Sequence, residues 1–255
     1  MQFASLGSGS KGNATLVESG DTCVLIDCGF STREVEKRLQ QHNRRAEDIH
    51  SILVTHEHAD HVGGVARLSR KYNIPVLMTA GTWSQCRQRH DINDLRLISS
   101  HDSIDLDNLQ INPFPVPHDA REPIQFVFSD GDVRLGLLTD TGSITPHILE
   151  MLGGLDALIL EGNYDHNLLM SGEYPAGLKK RVAGRTGHLS NDQAADLLES
   201  LDCSALQHLV AAHMSEKNNH PSLVNTSFST ALNCHSDWVT QANQHFGTDW
   251  LEIKS

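Results

Sequence analysis

The run His56-Glu57-His58-Ala59-Asp60-His61 restricts what this chain can fold into more than any other stretch. It follows directly on Ser51-Ile-Leu-Val-Thr55, which reads as a buried strand, so several metal-binding side chains leave one strand end together. A tight turn there aims His56 and His58 one way and Asp60 and His61 another. Imidazole nitrogen and carboxylate oxygen suit zinc and comparable divalent ions. So short a run cannot complete two coordination shells, and the remaining ligands must come from distant strands. His118 after Phe114-Pro-Val-Pro117, Asp140 after Leu137-Leu-Thr139 and His213 after Leu209-Val-Ala-Ala212 all stand at predicted strand ends. Ligands on loops at one sheet edge form an open, catalytic type of metal site.

The rest of the chain supplies such a sheet. Short apolar runs at Thr22 to Asp27, Ile74 to Thr79, Ala157 to Leu160 and Leu206 to Ala212 read as strands. A hairpin is predicted at Asp130-Gly131, between Ile124 to Phe128 and Val133 to Leu138. Capping boxes at Ser31-Thr-Arg-Glu34 and Ser190-Asn-Asp-Gln193 open helices running to about His42 and Leu201. Val62 to Tyr72 reads as one helix, and Pro221 opens another reaching about Cys234. Hairpins call for antiparallel or mixed sheets, and the helices between strands must cover sheet faces. No linker or low-complexity tract interrupts residues 1–255, which are expected to form a single α/β domain. The two capping-box helices are candidates for equivalents in an internal repeat.

Composition excludes some partners. The formal charge of −12 argues against a protein that coats nucleic acid by bulk electrostatics, although bound metal can neutralise acidic site residues. No apolar stretch approaches the roughly 18 residues of a membrane span, so no membrane partner is expected. The N-terminal residues lack the features of a signal peptide. The five cysteines form no CxxC and are odd in number, which points to a reducing, cytoplasmic setting. His42, His50, His90, His101, His147, His208, His235 and His245 carry no motif and are expected to be solvated.

With HxHxDH followed by a lone His, a lone Asp and a late His, the chain resembles the metallo-β-lactamase superfamily from about Phe3 to His220. The resemblance implies an αββα four-layer sandwich holding two divalent metal ions, zinc or manganese. One metal would take His56, His58 and His118 and the other Asp60, His61 and His213, with Asp140 bridging and a hydroxide between them. Asp27 is similar to the family's acidic residue that steadies the histidine loop.

Three further segments resemble the YycJ/WalJ exonuclease group and, more distantly, ribonuclease Z and PhnP-type phosphodiesterases. They are Gly7-Ser-Gly-Ser-Lys-Gly-Asn13, Glu161-Gly-Asn-Tyr-Asp165, and Gly187-His-Leu-Ser-Asn191 paired with His213-Met-Ser-Glu-Lys-Asn-Asn219. By that resemblance His188 is a proton donor or phosphate contact oriented by Glu161, a task that a His held by a carboxylate can perform. Asp60 and Glu161 join His188 in the catalytic set. Gly187-His188 also fits a plain turn ahead of a capped helix. The glycine-serine loop reads equally as a simple hairpin turn or as a cradle for a terminal phosphate, with Ser10, Lys11 and Asn13. Ser215, Asn218 and Asn219 are candidates for the same task. Lys179-Lys-Arg181 with Arg185 is either a solvated helix end or a contact for a nucleic-acid backbone. Neither a cysteine ligand nor a signal peptide favours a true β-lactamase, and the short span between Asp140 and His188 leaves no room for a large nuclease insertion. The expected function is a metal-dependent phosphodiesterase, foremost a 5′-to-3′ exonuclease on DNA. The alternatives are a small-molecule phosphodiesterase of the cyclic-nucleotide type and a glyoxalase II-like thioesterase. Oligomeric state is left open.

Overall fold

Two seven-stranded sheets form because apolar side chains alternate between two buried faces along the central strands. The computed structural model of the chain describes residues 1–87 and 91–255, so the expectation for His90 lies outside the described residues. The first sheet is built from β1 (Gln2–Gly7), β2 (Ala14–Ser19), β3 (Thr22–Ile26), β4 (Ser51–Leu53), β5 (Val76–Thr79), β6 (Leu95–Ile98) and β14 (Leu251–Glu252). The second is built from β7 (Ile104–Leu106), β8 (Leu109–Pro115), β9 (Ile124–Ser129), β10 (Arg134–Leu138), β11 (Ala157–Glu161), β12 (His208–Ala212) and β13 (Val239–Gln241). In β3, Val24 and Ile26 enter a core between the sheets with Leu53, Phe126, Phe128, Leu137 and Ile159. Cys23 and Leu25 instead face α1 (Thr32–Gln41) and α3 (Val65–Tyr72), which follows the short α2 (Ala59–Val62). Beyond the second sheet, α5 (Pro146–Met151), α8 (Asn191–Ser200) and α9 (Pro221–Ala231) bury Ile148, Leu197, Val224 and Phe228. The remaining helices are α4 (Ala80–Gln85), α6 (His166–Ser171) and α7 (Ala176–Val182). The layers therefore run helix, sheet, sheet, helix, the αββα sandwich expected.

The sheets repeat each other strand for strand. Their orders are β14-β1-β2-β3-β4-β5-β6 and β7-β8-β9-β10-β11-β12-β13, when both are read from the antiparallel end. In each, three antiparallel pairings are followed by three parallel ones. The capping-box helices are not equivalents within this repeat. α1 lies between β3 and β4, whereas α8 lies between β11 and β12, whose counterparts are β4 and β5. Their caps differ too: Ser190 and Gln193 make the full reciprocal box. Ser31 accepts from the Glu34 amide, but the Glu34 carboxylate turns to Arg38 at 2.8 Å instead.

Two further expectations are corrected. The helix predicted over Val62 to Tyr72 is divided at Gly63-Gly64, because Gly64 packs so closely on the Phe30 carbonyl that a Cβ there would collide. Its amide donates to the Cys28 carbonyl at 2.7 Å, which ties the histidine loop to the exit of β3. His42 is buried rather than solvated, since it caps α1 beneath Trp250 and bonds the Arg38 and Thr248 carbonyls at 2.9 and 2.8 Å. Among the described residues, no helix is long and apolar enough to cross a membrane.

Candidate metal centre

Pairing senses make β1, β3 and β4 parallel to one another, and likewise β8, β10, β11 and β12. The loops at the ends of these strands carry every predicted ligand, and they meet where the two sheets face each other. The ligand-capable atoms of His56, His58 and His118 all lie within 4.8 Å of one another, as do those of Asp60, His61 and His213. Asp140 stands between the two groups, its carboxylate 3.3 Å from His61, 3.4 Å from His213 and 3.8 Å from His118.

Surrounding groups decide which ring nitrogen faces the centre. His61 Nδ1 donates to Asp27 at 2.8 Å, His118 Nδ1 to the Gly187 carbonyl at 3.0 Å, and His213 Nδ1 to Glu161 at 3.2 Å. Each bond leaves Nε2 for a metal, the usual way a protein fixes a ligating imidazole. Buried His56 Nε2, His213 Nε2 and Asp140 Oδ2 have no hydrogen-bond partner. Orphaned buried polar atoms are costly, and three of them converging in one donor set fit divalent cations.

Charges within the set compensate one another. Burial would raise the Asp140 carboxyl, but His213, His61, His56 and His118 hold it well below the usual carboxylate range. Burial would lower His61, yet Asp140, Asp27 and Asp60 lift it to about 9. Burial, followed by the neighbouring His61, pushes His56 well below its ordinary value. Asp27 accepts from the Thr55 amide at 2.9 Å and the Thr55 hydroxyl at 2.8 Å as well as from His61.

Beside this centre, His188 Nδ1 donates to Glu161 Oε1 at 2.7 Å. Glu161 is fully buried at the end of β11 and also accepts from the Thr141 amide at 3.2 Å. Burial would lower His188, but Glu161 and then Asp140 raise it above the ordinary histidine value. The side chain stays 22 % exposed and borders a cavity of about 410 Å³ that opens over His58, Asp60, Asp140 and His213. That volume falls in the range of roughly 300–1,000 Å³ common for small-molecule sites.

Among the phosphate candidates, Ser10, Ser215 and Asn218 line the cavity, whereas Asn13 and Asn219 do not. The Asn13 amide is committed inside its own loop, to the Gly9 amide at 2.8 Å and the Ser8 hydroxyl at 3.2 Å, and reaches His61 Nε2 at 3.1 Å. The Asn219 amide is used up by the Gly162 carbonyl at 2.7 Å and by reciprocal bonds to Asn191 at 2.8 and 2.9 Å. Lys11 pairs with Glu216 at 2.7 Å. These groups brace the two loops against each other and against α8.

The basic run falls on α7, as a solvated helix end would, but it is not uniformly free. Lys179 donates to the Met170 carbonyl at 2.6 Å, while Arg181 pairs with Asp119 at 2.5 Å and borders the cavity. Asp119, next to His118 and 3.8 Å from His58, escaped the sequence reading, as did Thr55, Asn163, Tyr174, Leu178 and Val182. For Asp119 and Thr55 the available signal was adjacency to a predicted ligand. For Tyr174, Leu178 and Val182 it was their spacing of four.

Comparison with known proteins agrees with this geometry. The family model described as Beta-lactamase superfamily domain matches residues 22–214. The chain is 32 % identical over 254 residues to the exodeoxyribonuclease YycJ of Bacillus anthracis, covering 98 % of this chain and 96 % of that protein. It is 31 % identical over 234 residues to the exodeoxyribonuclease WalJ of Streptococcus pneumoniae, covering 88 % and 87 %. Among solved structures, Zn²⁺-bound PqqB from Methylobacterium extorquens superposes with a TM-score of 0.74 at 17 % identity, over 99 % of this chain and 100 % of that one, a likeness of fold.

Proposed function

The chain belongs to the metallo-β-lactamase superfamily, and from that membership we propose that it is a dinuclear phosphodiesterase removing nucleotides from the 5′ end of DNA. The observation that carries this reading is the His188–Glu161 pair beside the ligand cluster, 2.7 Å apart and open to the cavity. Cleaving a phosphodiester requires a proton for the leaving oxygen, and an imidazole gripped by a buried carboxylate can supply one. Further support comes from the full-length similarity to two exodeoxyribonucleases. Cys23, Cys28 and Cys86 are buried and form no disulfide, which fits a cytoplasmic setting.

The residues divide into holding, orienting and proton-moving roles. His56, His58 and His118 would hold one divalent ion, Asp60, His61 and His213 the other, with Asp140 shared and zinc or manganese both suited to the donors. Such ions, when bound, supply a water of lowered pKa and a polarised phosphoryl group. Asp27 and Thr55 keep the histidine loop in register. Glu161 orients His188 through Nδ1, so that Nε2 is left for the substrate. The Ser10 and Ser215 hydroxyls and the Asn218 amide would receive the terminal 5′ phosphate through charge-assisted hydrogen bonds.

The test is digestion of duplexes labelled at either end, with zinc and with manganese, alongside metal analysis. Release from the 5′ end, faster with a phosphate than with a hydroxyl there, is expected, and Ser10→Ala should narrow that preference. Release from the 3′ end, or cleavage confined to small diesters, would overturn the exonuclease reading. One ion per chain at saturating metal would overturn the dinuclear one.

A further inference from the structure

Facing the charged floor of the cavity is a wall of different chemistry. Tyr174, Leu178 and Val182 border the cavity; Leu178 and Val182, four residues apart, share one face of α7, and Tyr174 stands just ahead of the N-cap Pro175. Leu178 and Val182 lie on α7, a helix with no buried residue, and none of the three joins the apolar clusters that hold the sheets and helices together. An apolar stripe left out of the core is normally covered by something else. Here it lines the same cavity as His58, Asp60, Asp140 and His213, so one occupant can touch both.

Tyr174 is placed as a fixed platform. Pro175 follows it and restricts its backbone, and the Lys217 ammonium lies 5.9 Å from the ring centroid. At the far end of the wall, Arg181 is held against Asp119, beside His58. A phosphodiester alone would fill only the polar side of this cavity. A nucleotide is polar at its phosphate and flat and apolar at its base, and every base has a π-face that can stack on an aromatic ring without regard to sequence.

We infer that the wall of Tyr174, Leu178 and Val182 is a stacking site for the nucleobase of the terminal nucleotide, with Tyr174 as its platform. This rests on the exonuclease reading and adds to it a reason why an intact base at the end should matter. Tyr174 acts here by binding and positioning the end, not by moving protons.

The experiment compares two 5′-phosphorylated duplexes with the same sugar-phosphate backbone, one ending in a normal nucleotide and one in an abasic residue. The wild type is expected to favour the base-bearing end by roughly 10-fold in kcat/KM, carried mainly by KM, as the strength of base–aromatic stacking implies. Tyr174→Ala should bring that ratio close to 1, while Tyr174→Phe, which keeps the ring, should preserve it. Equal rates on both ends by the wild type, or a Tyr174→Ala ratio as large as the wild type's, would overturn the stacking site while leaving the exonuclease reading intact. Failure of the wild type to digest either duplex would sink that reading and this inference with it.

Discussion

β3 and β10 hold the same position in their respective sheets, and both end in the pattern Leu-x-Asp-x-Gly, at Leu25 to Gly29 and at Leu138 to Gly142. In both, the aspartate adopts a left-handed backbone, with φ of 58° at Asp27 and 52° at Asp140. There the likeness stops. Asp27 is fully engaged, by the Thr55 amide and hydroxyl and by His61. Asp140 keeps one buried oxygen without a partner and has four histidines within 3.8 Å. The strand plan delivers a carboxylate to the edge in each half, and what lies opposite decides its use. In the first half the candidate ligands come from the single segment after β4, which Asp27 braces. In the second they come singly, from the loops after β8, β10 and β12, and Asp140 is among them.

If this contrast is correct, the two aspartates should differ sharply in consequence. Asp140→Asn should lower phosphodiester cleavage by about 1,000-fold or more, at or beyond the cost of removing one preorganised electrostatic group, and metal content should drop with it. His188→Ala should keep its metal, yet lose roughly 100-fold in rate, the usual contribution of a positioned acid; metal loss in this variant would make His188 a ligand. Asp27→Asn should cost about 10- to 100-fold in metal affinity or activity, the range for groups that orient ligands. A loss equal to that of Asp140→Asn would erase the distinction between brace and ligand. The smallest effects concern the helix caps. Ser190→Ala, which removes a reciprocal box, should cost about 1 kcal/mol of stability and Ser31→Ala about half that, both read from denaturant unfolding.

The same contrast explains how much of the molecule was legible beforehand. His56, His58, Asp60 and His61 could be read because all four fall within six positions directly after one strand. His118, Asp140 and His213 were singled out because each directly follows an apolar run. Asp119 had no such signature: an acid beside a histidine is common, and only folding sets it against His58 and Arg181. Asn13 and Asn219 were read as phosphate contacts because an amide near a loop suits one, whereas their bonds to Gly9 and to Asn191 depend on how the chain turns. The sandwich followed from strand and helix patterns, but β6 and β7 are short and half exposed, so their alternation was too weak to read. His42 looked solvated because nothing local reveals that Thr248 and Trp250 return to cover it.

His213, with φ of 51°, shares the left-handed backbone of Asp27 and Asp140. At such positions a non-glycine residue carries a backbone cost of order 1–3 kcal/mol, least for asparagine and aspartate, whose side chains can bond locally. Alanine scanning would therefore confound two variables at all three sites, the chemistry removed and the conformational preference altered. Asparagine retains the side-chain length and left-handed tolerance of aspartate and exchanges the charged, accepting carboxylate for a neutral amide with one donor group. At Asp27 and Asp140 it is the substitution that separates what the carboxylate does from what the turn requires.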